Sequence, residues 1–353
     1  MAGAKQESEE TVPAPDVGDL LALAGAGWLA PLRERLAAMR NQDRLPHALL
    51  LLGQPGAGQF ELGLWLAAYL LCDQKGASAC GTCAGCRLFL AGTHPDFYAL
   101  GIEPDKTVIR VEQIRDLSES FWLKSYRGRS KVALVDPADA MNINSFNALL
   151  KTLEEPSDNT YLILTASRSD RLPRTIVSRC ARIRLPLPGA GEALAWLDGR
   201  SKHAGWERLL ALANGAPFLA LQYAEAGLEE LDATMQQTLD SAENGQLDII
   251  ATAATWSRDQ PEARLFWLES WLTGRLREAA LSSDLADNNR LPWLRAPAAE
   301  PTIRAGYRLL DALREARLLV SGALNTQLLF EGLLISLAAL VGGGVGRARE
   351  SAD

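Results

Sequence analysis

The sequence predicts an α/β protein, with a doubly wound parallel sheet in the first half and a second half that is helical throughout. Three observations carry the prediction. Aliphatic runs alternate with helical patterns between Leu49 and Pro186, a glycine-rich turn follows the first run directly, and strand patterns cease after Pro188. Leu49–Leu52 opens the series and is followed by a helical pattern over Glu61–Leu71. Lys131–Val135 precedes a second helix over Asn142–Leu153, and Tyr161–Thr165 and Ala181–Leu185 supply further strands. Leu49–Leu52 does not alternate with polar residues, as expected of a strand buried on both faces. Ligands of such sheets sit at the carboxyl ends of the strands, so the residues after Leu52, Val135 and Leu164 are the candidates for chemistry.

Beyond Pro188 short helices over Glu192–Leu197, Trp206–Ala213 and Pro217–Ala226 are separated by glycine-containing breaks. Longer ones follow over Arg264–Leu281, Ile303–Leu319 and Leu324–Val341, with apolar residues three and four apart. The expected organisation is an acidic, solvated tail over 1–24, an α/β domain over 25–188, a small helical domain over 189–244, a larger helical domain over 245–342 and a short terminal segment over 343–353. A chain of 353 residues has room for three domains with separate cores.

Composition excludes several function classes. Hydrophobic residues at 48% and charged residues at 22% describe a globular chain, and the formal charge of −7 argues against general coating of nucleic acid or of an anionic membrane. Lys5 faces five carboxylates within residues 1–20, so the remainder is close to neutral. That opening has no basic start followed by an apolar run, so a signal peptide is not expected and a cytoplasmic location is. The longest apolar stretch, Leu328–Val341, contains Glu331 and is shorter than the roughly 20 residues of a spanning helix, which makes it a buried helix.

Gly53-Gln-Pro-Gly-Ala-Gly58-Gln59-Phe60 lies between a strand and a helix, the context of a phosphate-binding P-loop. In that motif glycines let backbone N–H groups face phosphate, a lysine meets the terminal phosphates and a hydroxyl holds magnesium. Gln59 stands at the lysine position and Phe60 at the hydroxyl position. Val132–Val135 ends in Asp136, the form of a magnesium-supporting Walker B strand, but the next residue is Pro137, which has neither a carboxylate nor an N–H. These departures at Gln59, Phe60 and Pro137 argue against ATP hydrolysis by this chain.

The P-loop frame combines with Asp136-Pro-Ala-Asp139, Asn147-Ala-Leu-Leu-Lys-Thr-Leu-Glu-Glu-Pro156, Ser178-Arg-Cys180 and a cysteine cluster followed by Gly92-Thr-His-Pro-Asp96. Together they resemble the AAA+ clamp-loader subunits over roughly residues 28–341, and the departures just described point to a non-motor branch. The resemblance implies an AAA+ P-loop domain with a zinc-binding insertion, a small helical lid and a C-terminal helical collar. It also implies that Arg179, in Ser178-Arg179-Cys180, is an arginine finger acting in trans on a neighbouring subunit's ATP. A guanidinium is permanently charged and forks across phosphate oxygens, which suits it to that task. It is one of six arginines among residues 168–184 against the single Asp170; a solvated basic face accounts for the others, and Cys180 for a buried apolar position. In Gly215-Ala-Pro-Phe218, Phe218 stands where active members carry a nucleotide-contacting arginine.

Cys72, Cys80, Cys83 and Cys86 fall within 15 positions of a chain with five cysteines. Four thiolates fill a tetrahedral zinc shell and leave no open position, so the metal is expected to be structural. A zinc ribbon that reads DNA is the sharper alternative, but Lys75 is the one base between Cys72 and Cys86 besides their polar neighbours. His94 is expected to pack or cap, and His47 and His203 to be ordinary structural histidines.

The resemblance implies a component of the DNA polymerase III holoenzyme, a DNA-directed DNA polymerase, that helps load the sliding clamp onto primed DNA without ATPase activity of its own. Its implied partners are gamma/tau and delta subunits, the sliding clamp and primer-template DNA. The alternatives are an active gamma/tau-like motor subunit, which would bind and turn over ATP, and a zinc-dependent DNA-binding module, which would bind DNA alone in a salt-sensitive manner.

Overall fold

The computed structural model describes residues 26–74, 76–103, 106–281, 299–320 and 325–342. The expected segments 1–24 and 343–353 lie outside the described residues, as does Lys75. The chain divides into two compact units, Met1–Gly189 and Ala190–Asp353.

In the first unit, β1 (Ala48–Leu52), β2 (Phe97–Leu100), β3 (Lys131–Val135), β4 (Thr160–Ala166) and β5 (Ala181–Arg184) form one sheet in the order β2-β3-β4-β1-β5. Every pairing is parallel. The expected strands are therefore present. β2 was not anticipated, because it is a four-residue edge strand whose residues are all half-buried and show no continuous aliphatic run.

The sheet is covered on both faces, as its aliphatic strands require. On one side α1 (Ala30–Asn41) packs on α2 (Gln59–Leu71), and α2 lies on β3 and β4. Gly63 permits this approach: a Cβ there would come 2.7 Å from Leu134 Cδ1. On the other side α4 (Val111–Trp122) and α5 (Ile143–Glu154) pack together, and Ile114, Leu117, Phe121, Phe146, Leu149 and Leu153 share a core with Leu50, Val135 and Leu164. Asn142 caps α5 by accepting the Ser145 N–H at 2.9 Å. Two short helices, α3 (Ala84–Leu90) and α6 (Arg174–Val177), position the cysteine cluster and the Ser178-Arg179-Cys180 turn.

The second unit is helical: α7 (Ala190–Asp198), α8 (Trp206–Leu212), α9 (Pro217–Glu225), α10 (Leu228–Glu243), α11 (Ile249–Trp256), α12 (Pro261–Leu281), α13 (Ala299–Leu319) and α14 (Thr326–Gly342). α10 escaped notice in the sequence because its surface is polar. Its buried residues Leu228, Leu231, Met235, Leu239 and Ala242 nonetheless recur at helical spacing. Asp232 on α10 accepts from Trp267 Nε1 of α12 at 2.8 Å and from Arg208 Nε of α8 at 2.7 Å. Helices on the two sides of Gly245 thus share a buried polar junction. α14 buries Phe330, Leu333, Leu334, Leu337 and Leu340, and no described helix is long and apolar enough to cross a membrane.

Candidate functional site

The three strand ends singled out in the sequence come together. β1 leads into Gly53, β3 into Asp136, and Thr165 lies one residue before the end of β4. Parallel pairing sets Leu51 against Thr165 and Val135 against Leu164. Gly56 and Gly58 have φ of 76° and 105°, the left-handed backbone that favours glycine, so the loop has the P-loop turn geometry.

The interior of the loop is occupied by its own side chain. Gln59 is buried at 7% exposure, and its Nε2 donates to the Gly53 carbonyl at 2.6 Å and to the Gln54 carbonyl at 3.0 Å. The Ala57 N–H is directed back to the Gln54 carbonyl at 3.0 Å, and Trp28 Nε1 donates to the Ala57 carbonyl at 3.5 Å. Phe60 is half-buried at the start of α2. Where a lysine would extend toward phosphate, an amide therefore ties the loop to itself.

Asp136 accepts a hydrogen bond from Thr165 Oγ1. Burial pushes its pKa up, the Thr165 bond lowers it, and the nearby Asp139 carboxylate adds to the rise. Asp139 is held by Ser167 Oγ at 3.0 Å and the Arg168 N–H at 2.9 Å. Of the contributors, Trp28 was missed, and Thr165 is the residue after Leu164. The rule that ligands sit at strand ends pointed to Thr165, whereas nothing local to Trp28 signals that the chain folds it over the loop.

Arg179 follows α6 and its side chain is 37% exposed. Nη2 donates to Glu154 Oε1 at 2.7 Å, and Nη1 donates to the Thr175 carbonyl at 3.0 Å. Glu154 is the last residue of α5, a position the sequence reading gave no separate role. Arg171, Arg174, Arg182 and Arg184 are exposed, in keeping with a solvated face. Cys180 is buried, and burial pushes its thiol up to about 11. In the second unit Phe218 is buried, its ring centroid 4.8 Å from that of Trp196, so it serves the core.

Cys72, Cys80, Cys83 and Cys86 are brought together, their sulfurs all within 4.8 Å of one another. The Cys72–Cys83 and Cys80–Cys86 separations are 3.9 Å, close to the ~3.8 Å edge of a tetrahedron with zinc–sulfur bonds of about 2.3 Å. The donor set and spacing fit zinc. Backbone N–H groups of Asp73 and Cys86 approach Cys83 Sγ at 3.3 Å each, and that of Cys83 approaches Cys80 Sγ at 3.3 Å. Such bonds orient thiolates and stabilise their charge. Donors from Thr82 and Cys83 bring the Cys80 thiol down to about 6, while burial pushes that of Cys86 up, a cost that a dication held by the four sulfurs would offset.

The cluster is fastened to the α/β body by Asp73, which accepts the Gly85 N–H at 3.0 Å and Arg127 Nη2 at 3.0 Å. His94 is buried and its Nδ1 accepts the Asp96 N–H at 3.1 Å. It is not part of the metal-competent group. His47 Nε2 lies 3.1 Å from the Leu153 carbonyl, and His203 Nδ1 accepts the Gly205 N–H at 3.1 Å.

Comparison with known proteins accords with this geometry. The family model described as "DNA polymerase III, delta subunit" matches residues 30–188. The DNA polymerase III subunit delta' of Pseudomonas aeruginosa is 37% identical over 308 residues, covering 84% of this chain and 93% of the relative. That of Escherichia coli is 34% identical over 319 residues, covering 88% and 94%. The tau subunit of Escherichia coli is 38% identical over 152 residues, but these cover 42% of this chain and 23% of tau. The similarity to delta' runs over most of both chains and that to this tau over less than half of either, and the chain belongs to the DNA polymerase III delta' family.

Proposed function

We propose that this chain is a non-motor clamp-loader subunit of the DNA polymerase III holoenzyme, joining gamma/tau and delta subunits to load the sliding clamp onto primed DNA. The observation that carries the reading is the Gln59 amide bonded across the loop to Gly53 and Gln54, which replaces a phosphate-binding lysine by an internal tie. With Phe60 at the metal-supporting hydroxyl position and Pro137 where a carboxylate would polarise the attacking water, the chain's own site lacks the groups that activate ATP. The motor alternative is not favoured, since relatives matched along most of the chain are delta' subunits.

In this reading Arg179 is the contribution to catalysis. Its guanidinium stabilises the charge that develops on a neighbouring subunit's γ-phosphate, an effect worth roughly a thousandfold or more in rate. The Cys72, Cys80, Cys83 and Cys86 group holds a structural zinc, residues 189–244 form a lid, and residues 245–342 form the collar that docks with sister subunits. The protein works in the cytoplasm.

Isothermal titration of the isolated chain with ATP should show no micromolar binding and no turnover. In the reconstituted loader, Arg179→Ala should leave assembly intact and lower the ATPase stimulated by clamp and primed DNA. Micromolar ATP binding with turnover by the isolated chain, or an unchanged ATPase in the variant complex, would overturn the respective parts of the proposal.

A further inference from the structure

Arg179 is held by its own chain through both terminal nitrogens, Nη2 by Glu154 Oε1 at 2.7 Å and Nη1 by the Thr175 carbonyl at 3.0 Å. The two side chains in the ion pair are 37% and 51% exposed. An approaching phosphate therefore meets a charge-compensated pair, and not a free guanidinium. Exposed ion pairs are weak, whereas a bidentate contact between guanidinium and phosphate is among the stronger charge-assisted hydrogen bonds. A nucleotide correctly presented by a neighbour can displace the carboxylate, and a loosely presented one competes with it.

We infer that Glu154 is a positioning residue that latches Arg179 and withholds it from the neighbouring ATP until the subunit interface closes. This rests on the reading of Arg179 as a trans-acting finger. The latch joins the end of α5 to the turn after α6, two elements that pack on each other, so a shift of one relative to the other alters the grip. Glu154→Gln keeps the side-chain shape and removes the charge that holds the guanidinium.

The test uses the reconstituted loader. Glu154→Gln should raise the ATPase measured without clamp and DNA by between about 1.5- and 5-fold, the range that an exposed ion pair supports, and reduce the fold-stimulation on adding them. Arg179→Ala/Glu154→Gln should behave as Arg179→Ala alone. In the isolated chain, peptide-mapped modification of Arg179 by phenylglyoxal should be faster in Glu154→Gln. Unchanged or lower unstimulated ATPase in Glu154→Gln, beside a reduced stimulated rate in Arg179→Ala, overturns the latch and leaves the finger standing. No effect of Arg179→Ala overturns the finger, and the latch with it.

Discussion

Gln59 Nε2 and the Gly53 carbonyl, 2.6 Å apart, join the first residue of α2 to the first residue of the loop before it. Gln59 is thereby a structural brace. Gln59→Ala leaves the Gly53 and Gln54 carbonyls without this partner; both residues are half-buried and Gln54 keeps the Ala57 N–H, so the cost falls at the lower end of the range for a deprived polar group, about 1 kcal/mol. Urea denaturation should record a loss of that order, with no gain of ATP binding.

The four-thiolate cluster should contain one zinc per chain by elemental analysis. Its ligands sit at the end of α2, in the connection that follows and in the first turn of α3, so a bound metal ties these elements together and couples metal binding to folding there. Removing the metal with a chelator should lower the melting temperature by about 5 °C or more. Cys83→Ser should lose the bound metal, and a full complement of zinc in that variant would contradict the assignment.

Gly85 is the second residue of α3 and lies between the ligands Cys83 and Cys86. A Cβ at this position would sit 2.4 Å from the Leu71 carbonyl oxygen, a backbone atom with little freedom to retreat. Gly85→Ala should destabilise the protein by about 2 kcal/mol or more in thermal unfolding and weaken zinc retention. Gly81→Ala tests a different cost, since a Cβ there meets nothing within 4 Å but φ is +73°.

Asp136 gives a pH dependence of definite sign. Burial raises its folded pKa above the unfolded value, so the protonated form favours the fold. Its contribution is fully present below the unfolded pKa, near 4, and is lost as pH rises through the raised folded pKa. Asp136→Asn retains an acceptor for Thr165 and carries no charge. It should be more stable than the parent chain at pH 7, with the advantage vanishing below about pH 4 in urea melts. An advantage that grows on acidification would refute this account.

Phe218 fills a core position beside Trp196. Phe218→Ala should cost about 3–5 kcal/mol, read by chemical denaturation. Phe218→Arg should unfold the second unit instead of creating a nucleotide contact, because a charge there would be buried without a partner.

Much of the architecture was legible from the chain. Strands buried on both faces announce themselves as unbroken aliphatic runs, which located β1, β3 and β4 nearly to the residue. β2 was not legible because an edge strand needs no such run, and α10 was obscured by the polar side chains on its solvent face. The cysteine cluster was legible because metal ligation demands specific atoms at close spacing. The absent lysine, hydroxyl and second carboxylate were equally plain at Gln59, Phe60 and Pro137.

The sequence by itself thus determined which chemical groups the protein possesses: four thiols, a glycine loop without its charge, and Arg179. Tertiary structure decided what those groups touch. Gln59 folding back on Gly53, Trp28 reaching Ala57, Thr165 bonding Asp136 and Glu154 holding Arg179 pair residues between 6 and 29 positions apart. A residue's identity specifies its donors and acceptors, but the partner it meets depends on parallel strand register and helix packing, which no local stretch of chain encodes alone.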